Sequence, residues 1–342
     1  MKLTNRTYMK LTKLLTAAVM AVTVILPGFA QHHHCGNGCP ENAPAQASQQ
    51  PSKVYFIKEI TPESLIRIYQ ALGLPADGKV AVKISTGEKG NPNYLKPELI
   101  GDFVKLVDGT IVECNTAYKG KRYYNNDHWE VIKEHGFPSI APVIIMDSVA
   151  DVKIPVGPKA KHLKYDLVGE ALNDYDFLVC LSHFKGHQMG GFGGAIKNLS
   201  IGVASRNGKA YIHSAGKVDD AEILWDHIAQ QDDFQESMAE AAQAVVDHMK
   251  GRAVYINVAN NLSVDCDCNG NPEPACMADI GIFASLDPVA LDKATVDAVR
   301  NSKDHGRDHM IERIDSRHGM VSLKHAEEIG LGSQEYELIE LK

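Results

Sequence analysis

Residues 182–198 read SHFKGHQMGGFGGAIKN. Two histidines, His183 and His187, and two lysines, Lys185 and Lys197, stand here among five glycines. Histidine and lysine can move protons, supply positive charge or, for histidine, ligate a metal, and glycine lets backbone amides come close to a ligand. His183, Lys185 and His187 are therefore candidate catalytic groups. Gly190, Gly191, Gly193 and Gly194, with Lys197 and Asn198, are candidates for holding an anionic cofactor or substrate. The plain alternative is a tight strand-to-helix turn with solvated histidines.

A second cluster lies at 265–276, DCDCNGNPEPAC. Cys266 and Cys268 are one residue apart, so in extended backbone both thiols point to the same side. Cys276 could return as a third sulfur across the Asn-Gly-Asn-Pro turn. Such ligands suit zinc or iron. A four-ligand site would need His213 or His187 as well. A Cys266–Cys276 disulfide is the competing reading, and Asp265 and Asp267 read as turn residues.

Elements must bring these clusters together. The apolar run Phe177–Leu181 is a buried-strand pattern, so the glycine motif begins where a strand ends. Ligands of open α/β sheets bind outside such strand ends. From Lys53 onward strands and helices alternate. Strands are expected at Lys79–Ile84, Thr110–Cys114, Val143–Met146, Asp151–Val156, Ala253–Val258 and Ile280–Ala284. Helices are expected to open at Thr61-Pro62 and to run over Pro97–Val107, Asp127–His135, Leu167–Asn173, Val218–Gln230, Asp233–Lys250 and from Asp287-Pro288 to Arg300. This alternation predicts an α/β fold, a largely parallel sheet with helices on both faces, as one domain or two lobes with a crevice between them. The polar tips Ser85-Thr86-Gly87, Asn115-Thr116 and Asp147-Ser148 would then share an edge with His183 and Lys185.

The chain has 342 residues and a formal net charge of −8. Residues 1–30 read as a signal peptide, with Lys2, Arg6, Lys10 and Lys13 before the apolar Leu14–Leu26 and a small-residue cleavage site. Removing this segment, which has four basic and no acidic side chains, takes the charge to −12. The expectation is an exported protein, periplasmic or extracellular, with no later membrane span. Its acidity argues against nucleic acid as a partner. A small anionic molecule would need a locally basic pocket, which the glycine motif could provide. Residues 31–52 carry almost no large apolar side chains and read as a disordered tether, whose HHHCGNGC stretch contains Cys35 and Cys39. Cys114 and Cys180 lie in apolar runs and read as core residues.

The blocks SHFKGHQMGGFGGAIKNLSIGVASRNGKAYIHS, CDC and DIGIFASLDPVALDKATVDAV, with NTAYKGKR and EHGFPSIAPVIIMD, resemble the domain of unknown function 362 proteins, often described as uncharacterised iron–sulfur centre proteins. The resemblance runs from about Val80 to Leu341. It implies roles for the glycine motif, His213 and the Cys266/Cys268 pair. Cys276 stands where relatives more often have an apolar residue. Many relatives carry a ferredoxin-like segment after the position of His213, whereas residues 217–250 contain no cysteine. A [4Fe–4S] cluster is therefore less expected than a single zinc or iron ion. GFGGAIKNLSIG is also similar in rhythm to the glycine-rich lysine segment of nickel-pincer lactate racemases, where histidines act as acid and base on a 2-hydroxy acid. Three readings result: a metal- or cofactor-binding protein, an acid/base enzyme of isomerase or racemase type using His183 and His187 on a small organic acid, and a non-catalytic binding protein with structural disulfides.

Overall fold

The computed structural model describes residues 50–342. The segments expected to be a signal peptide and a tether, with Cys35 and Cys39, lie outside the described residues except for residues 50–52. Ser52, placed at the tether's end by the sequence, instead opens the first strand and pairs with Tyr336.

In chain order the elements are β1 (Ser52–Ile57), α1 (Pro62–Ala71), β2 (Val80–Lys83), α2 (Pro97–Leu106), β3 (Gly109–Glu113), α3 (Asn125–Glu134), β4 (Val143–Ile145), β5 (Asp151–Ile154) and β6 (Asp166–Gly169). Then follow β7 (Phe177–His183), β8 (Lys185–His187), β9 (Gly191–Gly193), α4 (Ala195–Leu199), α5 (Arg206–His213), α6 (Gln231–His248) and β10 (Ala253–Ala259). The chain closes with β11 (Gly281–Ser285), α7 (Pro288–Asn301), α8 (Arg307–Ser316), α9 (Gly319–Ile329) and β12 (Tyr336–Glu340).

One large sheet has the order β12-β1-β11-β10-β7-β2-β3-β4. Only β11 runs against the others, because it pairs antiparallel with both β1 and β10 while every other pairing is parallel. The fold is thus the largely parallel α/β sheet expected. Apolar clusters cover both faces. Ile100, Phe103, Val179 and Leu181 belong to one, and Leu178, Cys180, Phe184, Ala242 and Val289 to the other. Alternate β7 residues point to opposite sides, so FLVCL feeds both cores and every β7 residue is buried. The described residues lie in one compact unit.

Local chemistry sets several boundaries as read. Thr61 caps α1 by accepting the Ser64 amide at 3.1 Å, and Asp287 caps α7 through the Val289 and Ala290 amides. Two expected helices are absent. Within Leu167–Asn173, Leu167–Gly169 belong to β6, which pairs with β5, and a 3₁₀ segment covers Glu170–Asp174. Val218–Gln230 holds only a 3₁₀ turn at Leu224–Asp226. There Ala221 and Leu224 are buried while Ile223, Trp225 and Ile228 face outward, so no continuous apolar stripe supports a helix.

Candidate functional site

β2, β3, β7 and β10 are parallel, so Lys83, Glu113, His183 and the turn after Ala259 meet at one sheet edge. After His183 the chain forms the hairpin β8–β9, pairing Lys185 with Gly193 and His187 with Gly191, and then enters α4. The cysteine loop lies directly on this hairpin. Gly186 donates its amide to Ser263 O at 2.8 Å, and a Cβ there would stand 2.4 Å from Val264 O. Only glycine allows that approach.

Asp267 fixes the loop further along. His183 Nδ1 lies 2.7 Å from Asp267 Oδ1 and Lys185 Nζ 2.8 Å from Oδ2. The Glu88 amide donates to Asp267 O at 2.7 Å. Burial opposes the charge of Asp267, but His183 and Lys185 hold its carboxyl down at about 2. Asp265 ties the other side, accepting from Arg313 Nη1, Gln188 Nε2, Asn269 Nδ2 and the Glu273 amide. The backbone is therefore pinned on both sides of Cys266.

The ligand atoms of His187, Cys266 and Cys268 all lie within 4.8 Å of one another. This group could bind a metal ion. Cys266 Sγ accepts the Cys268 amide at 3.3 Å and stands 3.9 Å from Lys197 Nζ. Cys268 Sγ is 3.8 Å from His187 Nε2. The Cys268 thiol donates toward Cys266 and, with Lys197 and His187 beside it, holds Cys266 well below the usual thiol range despite burial. Cys268 is pushed upward in turn, chiefly by sharing that hydrogen bond with Cys266. The pair thus favours loss of the first proton from Cys266.

His187 has a defined tautomer. Its Nδ1 accepts the amides of Met189 (3.2 Å) and Gly190 (2.8 Å). Burial, reinforced by Lys197, lowers its pKa, so the ring is neutral with its proton on Nε2, facing the sulfurs. His213 has the opposite arrangement. Its Nδ1 donates to Lys209 O at 2.7 Å, its ring stacks on Phe234, and burial lowers its pKa to about 4. Its Nε2 therefore carries a lone pair.

Several sequence candidates have other duties. His183, expected to be catalytic, has both nitrogens against oxygens, Asp267 Oδ1 and Asn260 O at 2.6 Å, so neither is left for a ligand. Lys185, also expected to be catalytic, spends its ammonium on Asp267 and His183 O. Asn198 donates to Lys83 O, Leu181 O and Ser182 Oγ, tying α4 to two strand ends. Gly190 serves His187, and Gly191 has φ +78° and packs against Ile314 O and Gly319. Cys276, expected as a third sulfur, donates to Leu262 O and is not part of the His187/Cys266/Cys268 group. His213 is not part of that group either, because its place is set by α5 and Phe234. The Cys266–Cys276 disulfide is corrected too: Cys114, Cys180, Cys266, Cys268 and Cys276 are free thiols.

A cavity of about 510 Å³ opens over the sulfur pair, and His183, His187, Gly193, Gly194, Lys197 and His213 all line it. Sequence reasoning missed its charged floor. Glu113 accepts from Lys83 Nζ (2.8 Å), the Thr86 amide (2.9 Å) and Arg122 Nη1 (3.4 Å), and Arg122 also faces Glu88. The lysine within the strand VAVK was the one available signal. Asp292 was also missed. It accepts the Ala195 and Ile196 amides at 2.7 and 2.9 Å and so caps α4. Of the strand tips, Ser85 and Thr116 reach the main cavity, whereas Asn115, Asp147 and Ser148 line a neighbouring one of about 470 Å³.

The model of the family described as "Domain of unknown function (DUF362)" matches residues 80–297, more than half of the chain. The chain belongs to the DUF362 family. The matched span contains the glycine motif, α5 and the cysteine loop. No curated protein matches. Among solved structures, the lactate racemase apoprotein of Thermoanaerobacterium thermosaccharolyticum is similar at 16% identity and a TM-score of 0.35, over 60% of this chain and 50% of that one. A structural-genomics protein from Thermotoga maritima is similar at 11% identity and a TM-score of 0.41, over 75% of this chain and 58% of that one. The DUF362 chain thus spans half the length of the first structure and 58% of the second. No helix among the described residues is long and apolar enough to cross a membrane.

Proposed function

We propose that this DUF362 protein is an exported metal-binding protein whose ion sits at Cys266 and Cys268, beside a cavity that receives a small organic anion. The observation that carries the reading is the close group of His187, Cys266 and Cys268, whose ligand atoms all lie within 4.8 Å of one another. Two sulfurs and an imidazole form a soft donor set of the kind that suits zinc or iron. A [4Fe–4S] cluster wants four thiolates. Among the described residues three cysteines line the cavity, and Cys114, buried and donating to Val203 O, is apart from the Cys266/Cys268 pair, while Cys180 is buried in β7 and Cys276 donates to Leu262 O. For His187 to ligate through Nε2, the proton there must leave and Nδ1 must give up its amide bonds; otherwise His187 serves the ion by donating to sulfur. Lys197, without a carboxylate partner, supplies the positive charge for the organic anion. Export rests on the n-region, apolar stretch and cleavage site of residues 1–30.

The test is elemental analysis of protein purified without oxygen and then given one equivalent of zinc or iron. The wild type retains about one ion per chain, and Cys266→Ser and Cys268→Ser lose it. A wild type that holds no ion, or serine variants that hold it equally well, defeats the reading.

A second reading has one specific support. His187 turns an N–H and His213 a lone pair into the same cavity, as acid/base chemistry on an organic acid requires. The sequence reading paired His183 with His187 for this chemistry; here His213 takes the place of His183. Metal-free protein that exchanges a substrate C–H proton with deuterated water, and a His213→Asn variant that does not, would favour this reading over the first.

A further inference from the structure

We propose that the cavity takes a dicarboxylate, one carboxylate held by Lys197 and the other by Lys209. The inference rests on the reading of the cavity as an anion site beside a bound ion, and it names the class of that anion.

Lys209 lies on α5, is 6% exposed and lines the cavity. Its ammonium has three N–H groups but makes one hydrogen bond, to Ala204 O at 2.6 Å. None of the acids near it among the described residues bonds to its ammonium. Glu113 already serves Lys83, Arg122 and two backbone amides. Asp147 accepts from Asn115 and the Arg206 amide. Asp166 accepts the Leu167 amide on one oxygen and leaves the other unpartnered, and burial raises it to about 7, so near neutral pH it offsets the Lys209 charge only in part. Burial holds the Cys114 thiol far above its ordinary range, so it carries no charge. A buried ammonium without a counter-ion is costly, and an anion in the cavity would relieve that cost.

Lys197 reaches the same space from α4, next to Cys266. A divalent ion on two thiolates is neutral as a unit, so Cys266 then ceases to neutralise Lys197. The other cations on the wall, Lys83, Arg122 and Lys185, are paired with Glu113, Glu88 and Asp267. Two positive charges remain, and they are separate. Lys209 extends from α5 with its ammonium on Ala204 O, whereas Lys197 extends from α4 with its ammonium 3.9 Å from Cys266 Sγ. His213, one turn after Lys209 on α5, lines the same cavity as both lysines. Two separated cations suit a ligand with a charge at each end, not one that carries both on a single centre.

Calorimetry on zinc-loaded protein with succinate, butyrate and inorganic phosphate as probes tests this. Succinate should bind at least tenfold more tightly than either of the others. Lys209→Met should bring succinate down to the butyrate level while zinc content stays unchanged. Equal binding of succinate and butyrate, phosphate matching succinate, or a preference retained in Lys209→Met overturns the proposal. Should the methionine variant not fold, the wild-type comparison of the three probes decides alone. A protein that holds no zinc but keeps a Lys209-dependent preference for succinate upholds the dicarboxylate and defeats the metal reading.

Discussion

Asp267 stands between the two cysteines with its carboxylate turned inward to His183 and Lys185, so the sulfurs on either side face the cavity. Removing that charge leaves Lys185 buried without a partner. Asp267→Ala should destabilise the protein by about 3–5 kcal/mol and lower its metal content, as read by chemical denaturation and elemental analysis. An unchanged denaturation midpoint would show that the pairing is dispensable. At the same scale, Cys266 should be the first of the five described thiols alkylated by iodoacetamide in metal-free protein at neutral pH, because it lines the cavity beside Lys197 and its pKa is the one held low. Lys197→Met should slow that reaction several-fold by mass spectrometry; uniform labelling of all five would contradict it. The residue types were legible in the sequence, but their division of labour was not. His183 and His187 look alike in SHFKGHQ. Only the partners of each nitrogen, Asp267 and Asn260 O against two amides, separate a structural ring from one that faces the sulfurs. Those partners lie some 80 residues away for His183 and two or three for His187.

α4 is only five residues long, and the site depends on where it starts. Asp292 reaches across from α7 to accept the first amides of α4, and Asn257 of β10 donates to the same carboxylate at 2.8 Å. A Cβ on Gly194 would stand 2.3 Å from Asp292 Oδ1, so glycine is required by this cap as well as by the cavity wall. Asp292→Ala would leave two buried amides unpaired, each costing about 1–3 kcal/mol. The melting temperature should fall, and Cys266 alkylation should slow because Lys197 moves with α4. A variant with normal stability and normal thiol reactivity would remove Asp292 from this positioning role. Elements with their own signals were read correctly, as the caps at Thr61 and Asp287 show. Leu167–Asn173 and Val218–Gln230 were not. In the first, pairing with β5 outweighed helical spacing, and in the second the apolar residues had no shared core to enter.

Across the whole molecule, the alternating pattern sufficed for a parallel sheet, and a parallel sheet by itself gathers its strand ends on one edge. The charged cluster on that edge was not legible, because a lysine at the end of VAVK and a glutamate at the end of GTIVE look like ordinary strand termini until pairing aligns β2 with β3. That cluster gives the protein a defined acid response. Burial disfavours the Glu113 carboxylate, but Lys83 and Arg122 outweigh it and hold the group down at about 2, below the ordinary carboxylate range. A depressed carboxylate contributes stability that is fully present above about pH 4.5 and is lost as pH falls toward 2. Asp292, raised by burial to about 6, acts in the opposite sense and weakens the fold as pH rises through that region. Comparing variants at each pH isolates the Glu113 part. Glu113→Gln should cost about 3–5 kcal/mol at pH 7, since Lys83 and Arg122 lose a buried partner, and the difference from wild type should shrink steadily between pH 4.5 and 2. Denaturant titrations of both proteins across that range measure it. A difference that stays constant down to pH 2 would mean that Glu113 is not ionised in the folded protein, and the charged floor of the cavity would have to be redrawn.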